Sequence, residues 1–276
     1  DPGFNKARAG GVTTLMILPG SANLFGGRSV TLKNIPSTTV QGMKFPGAPY
    51  GMKMACGENP KRVYGGKGRT PSTRMGNFAV NRQTWLDARA YDGKKRDLAK
   101  ETLKGVLDGE ILVHNHCYRA DEMALVLSMA DEFGYRVSAF HHAVESYKIA
   151  DLLREHDVCS AVWADWYGFK MEAYDGIPHN AALVKAAGVP VAIHSDSSNQ
   201  IQRMNIQAAK TLRYGMSEED ALVSITLDPA KLLGIENRVG SIEVGKDADF
   251  ALFSRHPFDM YSLNVATWIE GVQVYD

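Results

Sequence analysis

Short apolar segments alternate with longer amphipathic segments along most of the chain. Apolar runs of about four to eight residues are typical of buried strands, and the longer segments carry apolar residues at helical spacing. The predicted strands are GVTTLMIL (11–18), VTLKNI (30–35), GMKMAC (51–56), ILVHNH (111–116), RVSAFHH (136–142), VCSAVWA (158–164) and VPVAIHS (189–195). The predicted helices between the later strands are RADEMALVLSMADEFG, ESYKIADLLREHD and HNAALVKAAG. This alternation favours an α/β protein with a parallel sheet.

The two ends of the chain depart from this alternation. Asp1 and Pro2 suit the start of a short helix, which a following pair of glycines ends. Near the other end, MNIQAAKTLRYG and SEEDALVSITLDPAKLLG each predict one helix, the second capped by Ser217. GSIEVGKDADFALFS then predicts a hairpin, and WIEGVQVYD predicts one more strand. We therefore expect a barrel domain over residues 1–234 and a small β-domain over residues 235–276.

Three of the predicted strands end in side chains that bind metal ions in proteins, namely His116, His142 and Asp196. The first two are 26 residues apart and the next two are 54 apart, which corresponds to about one and about two strand–helix units. In a parallel barrel the carboxyl ends of all strands meet at one rim, so these side chains are expected to converge. Imidazole and carboxylate suit Zn²⁺, Fe²⁺ or Mn²⁺. The spacing therefore predicts a metal-dependent enzyme.

Composition narrows the class of protein. The 276 residues are 45% hydrophobic and 22% charged, as in an ordinary globular protein. Lys and Arg number 31 and so do Asp and Glu, so no basic surface for nucleic acid is indicated. No apolar run approaches the roughly 20 residues of a membrane helix, and the first residues do not resemble a signal peptide. The odd number of cysteines (Cys56, Cys117 and Cys159) predicts reduced thiols and a cytoplasmic location.

Several motifs together resemble the amidohydrolase superfamily, particularly its imidazolonepropionase-like and dipeptidase-like branches. They are GVTTLMILPGSAN, HNHCYRADEM, HHAVESYKIAD, PHNAALVKAAGVPVAIHSD and DPAKLLGIENRVGSIEVGKDADFALF. The resemblance implies a (β/α)₈ TIM-type barrel and a small β-sandwich, of which residues 235–276 would form the C-terminal part. The family's first strand carries a metal-binding His-x-His pair that this chain lacks. The resemblance therefore implies that the chain holds strands 2 to 8 of the barrel and is an inactive truncated form.

The resemblance also assigns roles to particular residues. His116 would be the fifth-strand metal ligand, and His142 the sixth-strand ligand because its spacing to Glu145 and Tyr147 fits the family pattern. Asp196 would be the eighth-strand ligand and the catalytic residue that moves the proton, first as base and then as acid.

The fourth-strand position has two candidates. Lys53, carboxylated by carbon dioxide, would bridge two metal ions, whereas Glu58 stands at the strand exit and is slightly preferred for that reason. The expected cofactor is one or two divalent ions, with Zn²⁺ foremost and Fe²⁺ or Mn²⁺ as alternatives.

Substrate-binding residues are expected beside the ligands. Tyr118 and Arg119 directly follow the fifth-strand ligand and are candidates to hold a substrate carboxylate. Trp166 and Lys170 follow the seventh barrel strand and are candidates to line the pocket.

The leading functional hypothesis is a metal-dependent hydrolase of a carbon–nitrogen bond in an amide, cyclic amide or dipeptide-like small molecule. A deaminase with one metal ion, and a barrel without catalysis that serves in binding or assembly, remain alternatives. A homo-oligomer is expected because an open barrel exposes two strand edges that can pair with another chain.

Overall fold

A computed structural model describes all 276 residues, whose ten strands form two sheets. The larger sheet has seven strands in chain order: β1 (Thr14–Ile17), β2 (Phe25–Lys33), β3 (Tyr50–Ala55), β4 (Ile111–Cys117), β5 (Val137–His142), β6 (Cys159–Val162) and β7 (Val191–Ile193). The smaller sheet has three strands in the spatial order β10-β9-β8: β8 (Phe250–Phe253), β9 (Asn264–Ile269) and β10 (Val272–Tyr275).

Helices cover the larger sheet and bury its main hydrophobic core. They are α1 (Pro2–Ala9), α2 (Val40–Met43), α3 (Glu58–Gly65), α4 (Arg74–Arg89), α5 (Leu98–Leu107), α6 (Ala120–Phe133), α7 (Ala150–Glu155), α8 (Asn180–Ala186), α9 (Met204–Leu212), α10 (Glu218–Val223) and α11 (Leu227–Leu233). Three 3₁₀ turns lie at Ser146–Lys148, Met171–Ala173 and Ile201–Arg203. No helix is both long and apolar enough to span a membrane.

The predicted strands exist, but one of them runs in the opposite direction. Strands β3 to β7 are parallel, as expected for an α/β barrel, whereas β2 is antiparallel to both β1 and β3. The connection of residues 18–24 between β1 and β2 is too short for a parallel crossover, which needs about a dozen residues. The α/β class is therefore confirmed, and the sheet forms part of a barrel. The expectation that VTLKNI belongs to the parallel set of strands is wrong.

The outer edge of β7 is filled by the residue that follows α10 and by the first turn of α11. The backbone N–H of Val191 donates to Asp228 Oδ2 at 3.0 Å, and that of Ile193 donates to the Ser224 carbonyl at 2.9 Å. The prediction of one continuous helix over residues 217–234 is wrong. Pro229 accounts for the break, because its ring would clash with the carbonyl four residues earlier in a continuous helix. Ser217 does cap α10, as predicted.

The small sheet is held to the rest of the chain through α1 and β2. Thr267 Oγ1 donates to the Arg8 carbonyl at 2.9 Å, and Asn264 Nδ2 donates to the Ala9 carbonyl at 3.1 Å. Buried Lys33 forms ion pairs with Asp247 and Asp249. A sheet of only a few strands is marginally stable alone in water, so these contacts explain how the three-stranded sheet is stabilised.

The hairpin predicted within residues 240–254 is wrong. Only Phe250–Phe253 forms a strand there, and the hairpin is made instead by β9 and β10. The preceding residues 240–249 form turns, in which Gly240 and Gly245 have φ of 95° and 97°. Such angles suit glycine and interrupt the extended backbone that a hairpin requires.

Cys56 and Cys117 form a disulfide, and buried Cys159 is a free thiol. The prediction of three reduced thiols is therefore wrong for the first two. The register of the parallel strands explains the pairing: Ala55 lies opposite His116, so the next residue of each strand comes side by side, with the cysteine Cα atoms 5.2 Å apart. The two cysteines are 61 residues apart in sequence, and only the register of β3 against β4 brings them together.

We predict that Asp228→Ala destabilises the fold by about 3 kcal/mol, because it leaves the Val191 N–H and the Lys185 ammonium without their acceptor. Lys231→Ala is the matched control. Its ammonium lies 3.4 Å from the same carboxylate but its side chain is 44% exposed, so its loss should cost less than about 0.5 kcal/mol. Urea unfolding of both variants measures the difference, and equal effects would contradict this role for Asp228.

Candidate functional site

The register of the parallel strands brings polar residues together at their carboxyl ends. Lys53 on β3 lies opposite His114 on β4, and His116 on β4 lies opposite His141 on β5. His142 ends β5 and follows directly. Residues paired in register point to the same face of a sheet. Side chains that are far apart in sequence therefore form one cluster.

Five imidazoles make up most of this cluster. His114 Nδ1 and His141 Nε2 are 3.1 Å apart and share a hydrogen bond. The ring centroids of His116 and His142 are 4.5 Å apart, and those of His142 and His194 are 5.1 Å apart. His116 and His142 are thus neighbours, as their predicted roles require.

Two of the predicted ligands occupy unusual backbone conformations. His142 has a φ of 73° and Asp196 a φ of 48°, in the left-handed region that side chains with a Cβ rarely adopt. At His142 this angle ends the regular alternation of side chains along β5. The rings of the consecutive residues His141 and His142 consequently both approach His194. Strain of this kind is concentrated at functional sites, where it aims a side chain.

Lys53 lies within the histidine cluster. Its side chain is buried, and Nζ donates to the Pro19 carbonyl at 3.1 Å and to Ser21 Oγ at 3.4 Å. Ser21 Oγ in turn lies 2.8 Å from His116 Nδ1. The loop after β1 therefore links the amine to the imidazole. Sequence reasoning assigned no role to Ser21, although the motif PGSAN that contains it was noted.

Glu58, the other candidate at this position, lies at the rim of the site. Its Oε1 is 3.3 Å from Lys170 Nζ, and its backbone N–H donates to Glu172 Oε1 at 2.6 Å. Its neighbour Asn59 approaches His116 Nε2 at 3.4 Å, a contact that sequence reasoning missed. As metal ligands both Glu58 and Lys53 remain predictions, but their positions favour Lys53.

Burial keeps the imidazoles neutral. It lowers the pKa of His114 and His194 to about 3, with the charge of Lys53 acting in the same direction. Burial also lowers the pKa of His116, His141 and His142 well below the usual value. A neutral imidazole has a free ring nitrogen for a metal ion, whereas a protonated one has none.

Lys53 and Asp196 influence each other's protonation. Burial lowers the pKa of Lys53, and the nearby Asp196 opposes this shift. Asp196 faces an open cavity, yet the surrounding protein removes enough water to raise its pKa, and Lys53 opposes that shift. Both groups are therefore closer to their neutral forms than they would be in water.

The nitrogen and oxygen donors suit a divalent metal ion. His142 Nδ1 and His194 Nε2 are buried without a hydrogen-bond partner, which is costly unless another group occupies them. Neutral imidazole and carboxylate are the donor types that Zn²⁺, Fe²⁺ and Mn²⁺ accept. No three His, Cys, Asp or Glu side chains are close enough together to form a complete metal site. The residues thus fit a metal ion in donor type without being assembled around one.

The residues predicted to bind substrate lie at the outer side of the cluster. Tyr118 is buried with its ring 4.9 Å from that of His116, and Lys170 Nζ lies 4.0 Å from the Tyr118 ring centroid. Trp166 is 41% exposed on the loop after β6. Arg119 is exposed and donates two hydrogen bonds to Asp121, at 2.9 and 3.0 Å. The structure thus brings Tyr118 and Lys170 to the cluster and engages Arg119 elsewhere.

A cavity of about 1180 Å³ opens beside the cluster. Lys53, His141, His142, His194 and Asp196 lie along its wall. Apolar side chains between β1 and β7 line much of the remainder. A cavity of this volume admits a small organic molecule.

Comparisons with known proteins give a consistent result. Residues 97–274 match the Amidohydrolase family. The amidohydrolase tasK of Hapsidospora irregularis is 32% identical over 310 residues, covering 100% of this chain and 32% of that protein. An imidazolonepropionase of Geobacillus sp. (strain WCH70) is 26% identical over 210 residues, covering 66% of this chain and 49% of that protein. The chain thus spans about a third and about half of the lengths of these two curated relatives.

A solved structure matches the whole chain. The crystal structure of an amidohydrolase from Thermotoga maritima MSB8 superposes with a TM-score of 0.93 at 39% sequence identity. The match covers 100% of this chain and 75% of that one. Both sheets of this chain are therefore matched, in the same arrangement, within one related structure.

We predict that the chain loses stability as the pH falls below about 6.5. An unfolded histidine takes up a proton near that pH, whereas the buried histidines stay neutral, so the unfolded state binds more protons. Each such histidine contributes up to about 1.4 kcal/mol per pH unit. Chemical unfolding at pH 7, 6 and 5 measures the slope, and His114→Gln should reduce it by about that amount. His179→Gln, at an exposed histidine, is the control; an unchanged slope in the His114 variant would contradict the prediction.

Proposed function

The chain belongs to the amidohydrolase family, and we propose that it hydrolyses a carbon–nitrogen bond of an amide, cyclic amide or dipeptide-like small molecule. The family resemblance seen in its motifs is confirmed by the match over residues 97–274. The observation that most supports the proposal is the cluster of neutral imidazoles, of which His141, His142 and His194 line one cavity wall together with Lys53 and Asp196. Relatives described as hydrolases agree with it.

His116, His142, Asp196 and Lys53 would hold one or two divalent ions, of which Zn²⁺ is the first candidate. When bound, such an ion supplies Lewis acidity to the scissile carbonyl group and activates a water molecule. Ser21 orients His116 by binding its Nδ1, which leaves Nε2 as the ring nitrogen for the ion. Asn59, whose amide lies 3.4 Å from Nε2, would then move aside.

Lys53 would join the site after reaction with carbon dioxide. Only the neutral amine forms a bond to carbon dioxide, and the product is a carbamate with the release of one proton. Burial favours the neutral amine by lowering the pKa of Lys53. The carbamate would offer a divalent ion two oxygen donors with a negative charge, where the unmodified side chain offers only an amine nitrogen.

Asp196 would carry the proton. Its carboxylate faces the cavity, and burial raises its pKa toward the range in which a carboxyl group both accepts and releases protons. It would take a proton from the attacking water at an Oδ atom and give the same proton to the leaving nitrogen. No other cavity residue is needed for this transfer.

We predict that metal content and amide hydrolysis depend on the same residues. His142→Ala and Asp196→Ala should each abolish metal binding, and Lys53→Met should lower it more than Glu58→Gln, because Lys53 lies among the histidines and Glu58 at the rim. Elemental analysis of protein purified without chelators measures the metal content. It is carried out on the chain as given and on a form with an added strand that carries His-x-His.

The controls separate the possible outcomes. The absence of metal from both forms would sink the proposal. Release of ammonia from an amino-substituted ring without cleavage of an amide would indicate a deaminase instead. A larger loss with Glu58→Gln than with Lys53→Met would assign the fourth-strand position to Glu58.

We also propose that the chain self-associates through β1. This strand pairs with β2 alone, and its last residue, Ile17, is 45% exposed. The edge of β7 is filled by Asp228 and Ser224, so only β1 offers a free edge in the larger sheet. An uncovered edge is a template for pairing with another chain.

We predict that light scattering during gel filtration gives a mass of at least two chains, and that Ile17→Lys lowers it by placing a charge on the free edge. Leu125→Lys, at a similarly exposed leucine on α6, should leave the mass unchanged. A monodisperse monomer of the unaltered chain would rule out the association.

A further inference from the structure

The loop after β6 carries a group of aromatic side chains that the proposed hydrolysis does not use. Trp163 stacks on His142, with ring centroids 4.4 Å apart and planes at 24°. Trp166 stacks on Trp163 at 5.4 Å and 29°. Phe169 meets both indoles edge to face, at 5.7 and 6.4 Å. A continuous aromatic stack therefore runs from the histidine cluster outward, and we call Trp163, Trp166 and Phe169 the aromatic wall.

The outer members of the aromatic wall are incompletely buried. Trp166 is 41% exposed and Phe169 is 53% exposed. Burying such rings would stabilise the protein, so side chains selected only for packing would be expected to lie deeper. Trp163 stacks on His142, which lines the cavity, so these exposed rings lie next to the site and offer a surface for binding.

The charged groups around the wall are already paired. Lys170 Nζ lies 3.3 Å from Glu58 Oε1 and 3.3 Å from Glu172 Oε2. Arg119, the other candidate to bind a carboxylate, is held by both oxygens of Asp121. A substrate carboxylate would have to compete with these acidic groups, whereas a neutral ring would not.

We propose that Trp166 and Phe169 determine specificity by stacking on an aromatic ring of a neutral amide substrate. The inference rests on the proposed function for the location of the reacting bond. Trp163 spans the distance between the exposed rings and His142, so a ring held on the wall places its attached amide toward the histidine cluster. The substrate class is thus an uncharged amide with an aromatic group next to the scissile bond.

Calorimetric binding of matched probes to the intact chain tests this inference without requiring hydrolysis. N-acetyl-phenylalaninamide should bind about tenfold more tightly than N-acetyl-alaninamide, which corresponds to one aromatic stacking contact. It should also bind more tightly than N-acetyl-phenylalanine, whose carboxylate would be repelled by the negative charges of Glu58 and Glu172.

Variants identify the residues responsible. Trp166→Ala and Phe169→Ala should each remove most of the roughly tenfold preference for the phenylalanine amide over the alanine amide. Tyr174→Ala is the matched control, because Tyr174 is 74% exposed on the same loop and lies outside the aromatic wall. Circular dichroism of each variant establishes that it is folded. Two independent variants are used so that the result does not depend on a local structural change caused by one substitution.

Each outcome bears on one claim. The inference is wrong if the two amides bind equally, if neither binds, or if the free acid binds best. Aromatic preference without metal or hydrolysis would support the wall and overturn the proposed function. Hydrolysis of amides without any preference for an aromatic group would support the proposed function and overturn the role of the aromatic wall.

Discussion

The burial of five imidazoles beside one amine is the constraint on which the arrangement of this protein depends. A buried charge is far more costly than a buried neutral group, so the histidines remain neutral and must satisfy one another. His114 and His141 share one hydrogen bond, but His114, His142 and His194 each keep one buried ring nitrogen without a partner. A protein under selection for stability alone would fill these positions with apolar residues. Their cost is explained if the free nitrogens serve to bind a ligand.

This cluster exists because several separate features of the backbone agree. Parallel pairing of β3, β4 and β5 sets Lys53, His114 and His116 on one face. The left-handed backbone at His142 then adds a residue that strict alternation would turn away. Such a conformation costs of the order of 1 to 3 kcal/mol, and the surrounding sheet must maintain it. The paired strands therefore fix the positions of Lys53, His114 and His116, and the strained backbone at His142 turns its imidazole toward them.

Local patterns predicted much of this from the sequence, and long-range contacts account for what they missed. Helix α6 begins and ends close to its predicted bounds, because its apolar spacing and Gly134 are local signals. The convergence of His116 and His142 followed from strand ends alone. The direction of β2 was missed because this strand begins at Phe25, earlier than its apolar pattern indicates, and so leaves too short a connection for a crossover. The disulfide and the contact of Ser21 with His116 depend on register between segments that are distant in sequence. For the same reason sequence position favoured Glu58 at the strand exit, whereas burial in three dimensions favours Lys53.

A network of ion pairs holds in place the loop after β6, which carries the aromatic wall. Arg74 at the start of α4 binds both Glu122 and Glu172, whose side chains are each only 2% exposed. Glu172 also accepts from the Glu58 N–H, next to Gly57, where a Cβ would lie 2.2 Å from the Glu172 carboxylate. Glycine is therefore required for this approach, which fixes the loop after β6 against the start of α3. Since that loop carries Trp163, the ion pairs that hold it in place also keep an indole stacked on His142. The aromatic wall and the candidate metal ligand His142 consequently share one rigid support.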